Sequence, residues 1–272
     1  MSLKGIAKQV LAILDEGAYV TSSGKQVDIR EPFERARART ELLTPDALAA
    51  IDIAPATRAG SIEVTGETTQ VAAHRLVVED GERNVCVLNF ASARNPGGGF
   101  LGGARAQEED ICRCSALYPC LLEQPRYFDV NRAHPDAIYT DHLIYTPDVP
   151  FFKTTGRGEL LDTPFLVSVL TAPAPNTGAV LQRDPSAAPV LRAAFERRTR
   201  YVLAAMASKS HRVIVLGAWG CGAFRGDPVM VADVFARALR EDFAGVFERI
   251  VFPVFDPRKG EPNRVAFAAE LS

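Results

Sequence analysis

The chain has 272 residues, 47% of them hydrophobic, and 31 basic residues against 33 acidic ones for a formal net charge of -2. That length allows one large domain or two small ones with a sizeable core, and the charge balance excludes a nucleic-acid binder that works through an overall positive field. No apolar run approaches the ~20 residues that cross a bilayer, and MSLKGIAKQVLAILDEG carries acids where a signal peptide has its apolar core, so a cytoplasmic location is expected.

In chain order, LKGIAKQVLAIL has apolar residues at helical spacing, and YVTSSGKQVDI reads as two short strands around a Ser-Gly turn. EPFERARARTELL reads as one charged helix with Pro32 near its first turn. These elements suggest an N-terminal accessory extension, residues 1–60, packed on a larger unit at 61–272. SIEVTGETTQVAAHRLVVED then fits a short strand, a Thr-capped helix and an exposed exit.

From residue 84 a regular alternation begins. NVCVLNFA, PFLVSVLTA, HRVIVLGA and RIVFPVFD are short apolar runs rich in Val and Ile, as expected of strands buried on both faces. Helices are expected between them at QEEDICRCSALYPCLL, APVLRAAFERRTRYVLAAMAS and DPVMVADVFARALREDF. The less regular middle, 125–164, reads as an edge hairpin or cover with short strands at AIYT, HLIYT and FFK. This order points to an α/β fold of three layers. Four strands end in distinctive loops, SARNPGGG, APAPNTG, AWGCGAFRGDP and DPRKG, which are expected to line one cleft beyond the carboxyl ends of the strands.

The five cysteines are an odd number, and reduced thiols are the simplest reading. Cys112 and Cys114 point about 200° apart on a helix, and no CxxC pair or His cluster accompanies them, so no metal site is expected.

The glycine loop NPGGGFLGGARAQEED lacks the G-K-[ST] ending of a P-loop and the G-x-G-x-x-G order of a dinucleotide fold. A second loop, GAWGCGAFRGDP, has Gly217, Gly220, Gly222 and Gly226 where a backbone can curl its N–H groups round one centre, an anion nest suited to a diphosphate. Trp219 and Phe224 either stack on a sugar or base or pack in the ordinary way. Glu108, Glu109 and Asp110 match the dipole of the helix they start. That matching does not account for Gln107-Glu108-Glu109 directly downstream of Gly97-Gly98-Gly99.

This combination, G-G-G then Q-E-E after seven residues, resembles the signature of the poly(ADP-ribose) glycohydrolases, and the spans NFASARNPGGGFLGGARAQEE and LGAWGCGAFRGDP resemble its bacterial branch over roughly residues 60–260. The resemblance implies a three-layer α/β/α macrodomain with a mixed central sheet, and hydrolysis of ribose-ribose O-glycosidic bonds to release ADP-ribose. It implies Glu109 as acid/base, Glu108 on ribose hydroxyls and Gln107 as an orienting residue. Gly97, Gly98, Gly99, Asn95 and Asn89 would face the ribose. Gly217, Gly220, Cys221, Gly222, Ala223 and Phe224 would bind the diphosphate and distal ribose. Many macrodomains carry N-x-x-N ahead of the glycines; here Asn89 has Ser92 as its partner position.

No cofactor or metal is implied. The partners implied are poly(ADP-ribose), ADP-ribose and ADP-ribosylated proteins, with neither membrane nor direct nucleic-acid binding, a monomeric state and a place in reversing ADP-ribosylation after DNA damage. Asn176, Thr177 and Asp256 stand at strand ends where they serve either adenine and proximal-ribose contacts or turns, and the C-terminal EPNRVAFAAELS is a candidate for enclosing the proximal ribose. Competing readings are a binding-only macrodomain, which has no need of the Glu108-Glu109 pair, a hydrolase of mono-ADP-ribosylated protein, and a phosphatase of ADP-ribose or a nucleotide.

Overall fold

The computed structural model describes residues 1–53, 56 and 60–272, so the stretch just before the expected 60/61 boundary lies partly outside the described residues. Helix α1 (Leu3–Glu16) forms because Ile6, Val10, Ile13 and Leu14 recur on one buried face; the Ser2 side chain caps its start and left-handed Gly17 ends it. Strands β1 (Ala18–Val20) and β2 (Gln26–Asp28) make a separate antiparallel hairpin. Helices α2 (Arg30–Ala38) and α3 (Pro45–Ala49) flank the short strand β3 (Glu41–Leu43).

The central sheet has seven strands in the order β3-β6-β7-β5-β8-β9-β4. Its members are β3, β4 (Ser61–Thr65), β5 (Val85–Ala91), β6 (Leu143–Phe151), β7 (Phe165–Pro173), β8 (Val213–Val215) and β9 (Arg249–Pro253). Strands β7, β5, β8, β9 and β4 run parallel, whereas β6 is antiparallel to both of its neighbours. The sheet is therefore mixed. Because β5, β7, β8 and β9 share one direction, the four loops singled out in the sequence leave the same edge.

Strand residues alternate between two cores. Val85 and Val87 of β5 join one with α1, α2, α4 (Thr69–His74), α5 (Gln107–Cys114), α6 (Leu117–Leu122) and α7 (Pro125–Ala133). Cys86 and Leu88 join the other, with α9 (Ala188–Ser208), α10 (Pro228–Arg240) and α11 (Pro262–Leu271). Each β5 side chain faces the opposite layer from its neighbour, which is the three-layer arrangement expected. Helix α8 (Thr177–Arg183) lies with a small third cluster around Val180 and Leu191. Residues Ile6 to Leu14 of α1 share the first core with Phe100 and Ile111, so the N-terminal segment and the glycine-loop region are packed as one body.

Several sequence expectations are corrected. The helix read over 31–43 stops at Ala38, because its last three residues pair with β6 as β3, Glu41 opposite Tyr145. Thr68 stands at the α4 N-cap but its side chain makes no capping hydrogen bond. The single helix read over 107–122 is two: extended Ser115 separates α5 from α6, its hydroxyl donating to Ile111 O (2.8 Å) and accepting from Leu117 N (3.3 Å). The middle region contains helix α7, and β6 lies inside the sheet between β3 and β7, not in an edge hairpin. AIYT forms no strand, and Tyr139 there has a positive φ of 65°. Helix α8 begins within the segment read as loop.

Candidate active site

The site is built where α5 begins, beneath the loop that leaves β5. Three successive side chains of its first turn each fasten the helix to that strand or loop. Gln107 accepts from Phe90 N (2.8 Å) and donates to Leu88 O (2.7 Å) and to Thr69 Oγ1 (3.1 Å). Taking a carbonyl and an N–H two residues apart is how a parallel strand would pair with β5, so the Gln107 amide extends the ladder with a side chain.

Glu108 is 3% exposed. Its Oε2 accepts from Ser92 N (2.7 Å) and its Oε1 from Asn89 Nδ2 (3.2 Å), which also reaches Thr171 Oγ1 (3.2 Å). Burial pushes the Glu108 carboxyl up to about 8; the Ser92 N–H and the Asn89 amide pull the other way, and the Glu109 charge adds to the rise. Glu109 is 7% exposed, and its Oε1 accepts from Gly99 N (2.8 Å). Its second oxygen is buried with no hydrogen-bond partner among the described residues.

The glycines allow the loop to lie on these carboxyls. A Cβ on Gly98 would stand 2.5 Å from Glu109 Oε1 and 3.0 Å from Glu108 Oε2, and Gly98 has φ of 57°. Gly97, at φ of 64°, faces Tyr118 and the Cys112 thiol, where a Cβ would come within 2.8 Å and 3.3 Å. Asn95 is exposed; its N–H meets the Ser92 hydroxyl (3.1 Å) and its carbonyl accepts from Gly98 N, so its backbone forms the turn and its side chain stands free among the described residues. Asn89 is fully buried and holds Glu108 in place. Ser92, at the second position of N-x-x-N, anchors the loop instead through its hydroxyl and N–H.

The second loop differs. Gly220 (φ 79°) and Arg225 (φ 57°) give it two left-handed turns, and Gly226 N closes it on Gly220 O (2.9 Å). Among the described residues the N–H groups of Gly220, Gly222, Ala223 and Phe224 have no acceptor, whereas that of Gly226, also named for the anion nest, is used within the loop. Cys221 does not join them, since its N–H goes to Ala218 O and its thiol lies 3.7 Å from Trp219 O. Gly217 permits close packing, as a Cβ there would meet Phe90 at 2.9 Å and Pro253 O at 3.0 Å. Of the two aromatics, Trp219 is fully buried between Phe195 and Phe235 with its indole N–H on Ala172 O (3.1 Å); it belongs to the core. Phe224 is half-buried, with its ring 6.3 Å from that of Tyr139.

Asn176 caps α8 by accepting from Ala179 N (3.1 Å), the turn role left open by the sequence, whereas the Thr177 hydroxyl is buried without a partner among the described residues. Asp256 orders its own loop: Arg258, through two hydrogen bonds, holds its carboxyl well below the usual carboxylate range. Phe255 beside it is 63% exposed, an open aromatic face at the same sheet edge that its place in an apolar strand run concealed. Tyr139 was also missed, because AIYT has the composition of a strand. The C-terminal segment forms α11, packed on α10 and β4. All five cysteines are buried and free, and no group of metal-ligating side chains occurs among the described residues. No helix among the described residues is long and apolar enough to cross a membrane.

The family described as microbial-type PARG, catalytic domain, matches residues 7–154. A poly(ADP-ribose) glycohydrolase structure from Thermomonospora curvata is 42% identical over 98% of both chains, with a TM-score of 0.93. The same organism's enzyme bound to the inhibitor ADP-HPD is 43% identical over 98% of both chains, with a TM-score of 0.91. The enzyme of Deinococcus radiodurans in complex with ADP-ribose is 44% identical over 88% of this chain and 97% of that one, with a TM-score of 0.82. A comparison with curated proteins returns no match. With the glycine loop folded over two buried glutamates and a family match across more than half its length, the chain belongs to the microbial-type poly(ADP-ribose) glycohydrolases and is a glycohydrolase enzyme.

Proposed function

We propose that Glu109 is the acid/base in hydrolysis of the ribose-ribose bond of poly(ADP-ribose). The observation that carries this is its buried second oxygen, which no protein donor satisfies while the first is held by Gly99 N–H. A carboxyl so held has one oxygen left for substrate. Protonated Glu109 donates to the departing ribose oxygen as the glycosidic C–O bond breaks and an oxocarbenium ion develops; the carboxylate then takes a proton from the water that attacks that carbon, and ADP-ribose leaves.

The other assignments follow the geometry. Glu108, fixed by Ser92 and Asn89, faces ribose hydroxyls, with Asn89 acting through it. Gln107 positions the helix. The loop at Gly97, Gly98 and Gly99 presents backbone to the ribose, with Asn95 at its exposed turn. The open N–H groups of Gly220, Gly222, Ala223 and Phe224 receive the diphosphate, with Gly217 and Cys221 shaping the loop from beneath, and the Phe224 ring rests on the distal ribose. Phe255 offers a stacking face for adenine.

We also propose that residues 1–60 are an accessory segment bracing the catalytic unit at 61–272. Its support is that a Cβ on Gly103 would stand 2.8 Å from Lys4 N, which puts α1 directly against the glycine loop. The enzyme is read as a cytoplasmic monomer that removes polymer from ADP-ribosylated proteins in the response to DNA damage.

The test is incubation of the purified chain and of Glu109→Gln with defined poly(ADP-ribose), with products separated by chromatography. Wild type releases ADP-ribose; the variant binds ADP-ribose but loses about 10²–10⁴-fold in kcat. Intact polymer despite tight ADP-ribose binding would leave a binding module, release only from mono-modified protein would leave the second hydrolase reading, and free phosphate would leave the phosphatase.

A further inference from the structure

The acidic side chains on the loops at the cleft edge are engaged, and a set of basic ones is not. Asp256 is held by Arg258, Glu261 by Arg264 and Asp110 by Arg113; Glu108 and Glu109 are buried, and Asp227 caps α10 through Val229 N. By contrast Arg94, Arg105, Arg225 and Lys259 are exposed and make neither an ion pair nor a side-chain hydrogen bond among the described residues. They come from separate places on one edge: the turn after β5, the approach to α5, the loop after β8 and the loop after β9. The Arg94 guanidinium stands 5.9 Å from the centre of the Tyr139 ring, and the Arg225 stem lies against Gly178, where a Cβ would come within 3.0 Å of Arg225 Cδ.

In a chain of net charge -2, four cations unmatched among the described residues along one sheet edge give that edge a local positive field.

We propose that Arg94, Arg105, Arg225 and Lys259 form a rim that binds the phosphates of polymer units adjoining the one being cleaved, so that the enzyme grips long polymer more tightly than short. The inference rests on the glycohydrolase reading of the same cleft. Each ADP-ribose unit carries two phosphates, so a polymer leaving the site in any direction presents a flexible polyanion to these side chains. Attraction of this kind acts through charge and displaced counterions, which makes it steeply dependent on salt.

The experiment measures KM and kcat on long and very short polymer fractions over a range of salt, for wild type and for the triple variant Arg94→Gln, Arg105→Gln, Lys259→Gln, which leaves the loop after β8 intact. For wild type on long polymer, log KM should rise with log salt with a slope of about 3, since each of four neutralised phosphates contributes about 0.7, as on a single-stranded nucleic acid. The variant's slope should fall to about 0.7 and its low-salt KM on long polymer should be at least about tenfold higher. Its kcat, its KM on the short fraction and its affinity for monomeric ADP-ribose should match wild type.

A long-polymer KM indifferent to both salt and substitution overturns the rim. An equal loss on short polymer and on ADP-ribose also overturns it, because the cations would then belong to the cleavage site itself. Thermal unfolding checks the variant's fold; if it fails, single Arg105→Gln and Lys259→Gln variants carry the same reading, each lowering the slope by about 0.7. Wild type that releases no ADP-ribose from any polymer strikes the glycohydrolase reading instead, and direct binding of labelled long polymer against monomer then decides the rim separately.

Discussion

The two glycine-rich loops at the sheet edge are alike in composition and differ in the fate of their backbone donors. In the loop after β5 the donors beside the triple glycine are occupied within the protein: Gly98 N meets Asn95 O, Gly99 N meets Glu109, and Phe100 N meets Gly97 O. Its glycines serve close approach to two carboxyls. In the loop after β8 four N–H groups in the 220–224 stretch are left without an acceptor among the described residues. Glycine richness therefore marks places where backbone comes near something; only the fate of the N–H groups tells whether that something is the protein's own side chain or a ligand.

Exchanging one glycine in each loop puts the contrast at greatest risk. Gly98→Ala forces a side chain into left-handed backbone and onto the Glu109 carboxyl, and should cost about 2–4 kcal/mol of stability together with most of the activity. Gly222 faces open space, so Gly222→Ala should change stability by no more than about 0.5 kcal/mol. Denaturant unfolding of both variants checks this, and equal losses would erase the distinction between the loops.

A middle-sized effect is expected at Gln107. Gln107→Ala strands Leu88 O and Phe90 N beneath the glycine loop, and should destabilise by about 2–4 kcal/mol while lowering kcat through displacement of α5. A stable variant with normal kcat would show that the helix start holds itself in place.

The smallest effect lies in pH dependence. The folded Glu108 carboxyl keeps its proton up to about 8, whereas an unfolded one releases it near 4.5, so the stability it contributes is present below 4.5 and is lost as pH rises toward 8. Against Glu108→Gln, which does not titrate, wild type should lose stability across that window with a slope approaching about 1.4 kcal/mol per pH unit. Parallel pH profiles for the two proteins would remove burial as the dominant influence on Glu108.

What was legible in the sequence follows the same division between local and long-range physics. Strands β5, β7, β8 and β9 declare themselves because burial on both faces demands uninterrupted Val, Ile and Leu. Strand β6 shows only in pieces, at HLIYT and FFK: Pro147 and Pro150 lie within it, and the register shift between Thr146 and Val149 accommodates the irregularity. Strand β3 was hidden in a helix reading because only its pairing with β6 decides its conformation. At the site, the glutamates and the triple glycine were readable as a pattern. The use of Gln107 as a piece of strand, of Asn89 as a support for Glu108 and of Trp219 as core was not, since each depends on which surfaces the fold brings together.

The apolar face of α1 has a consequence for synthesis. Ile6, Val10, Ile13 and Leu14 share their core with Ile29 and Phe33 close by in the chain and with Phe100, Ile111 and Phe152, so part of the cover for α1 is made only roughly a hundred to a hundred and fifty residues later. At translation speeds of about 5–20 residues per second that is a wait of roughly five to thirty seconds. For that interval part of the apolar face of α1 is left open, and the yield of the chain in a cell depends on what shields it until the glycine loop and α5 have left the exit tunnel.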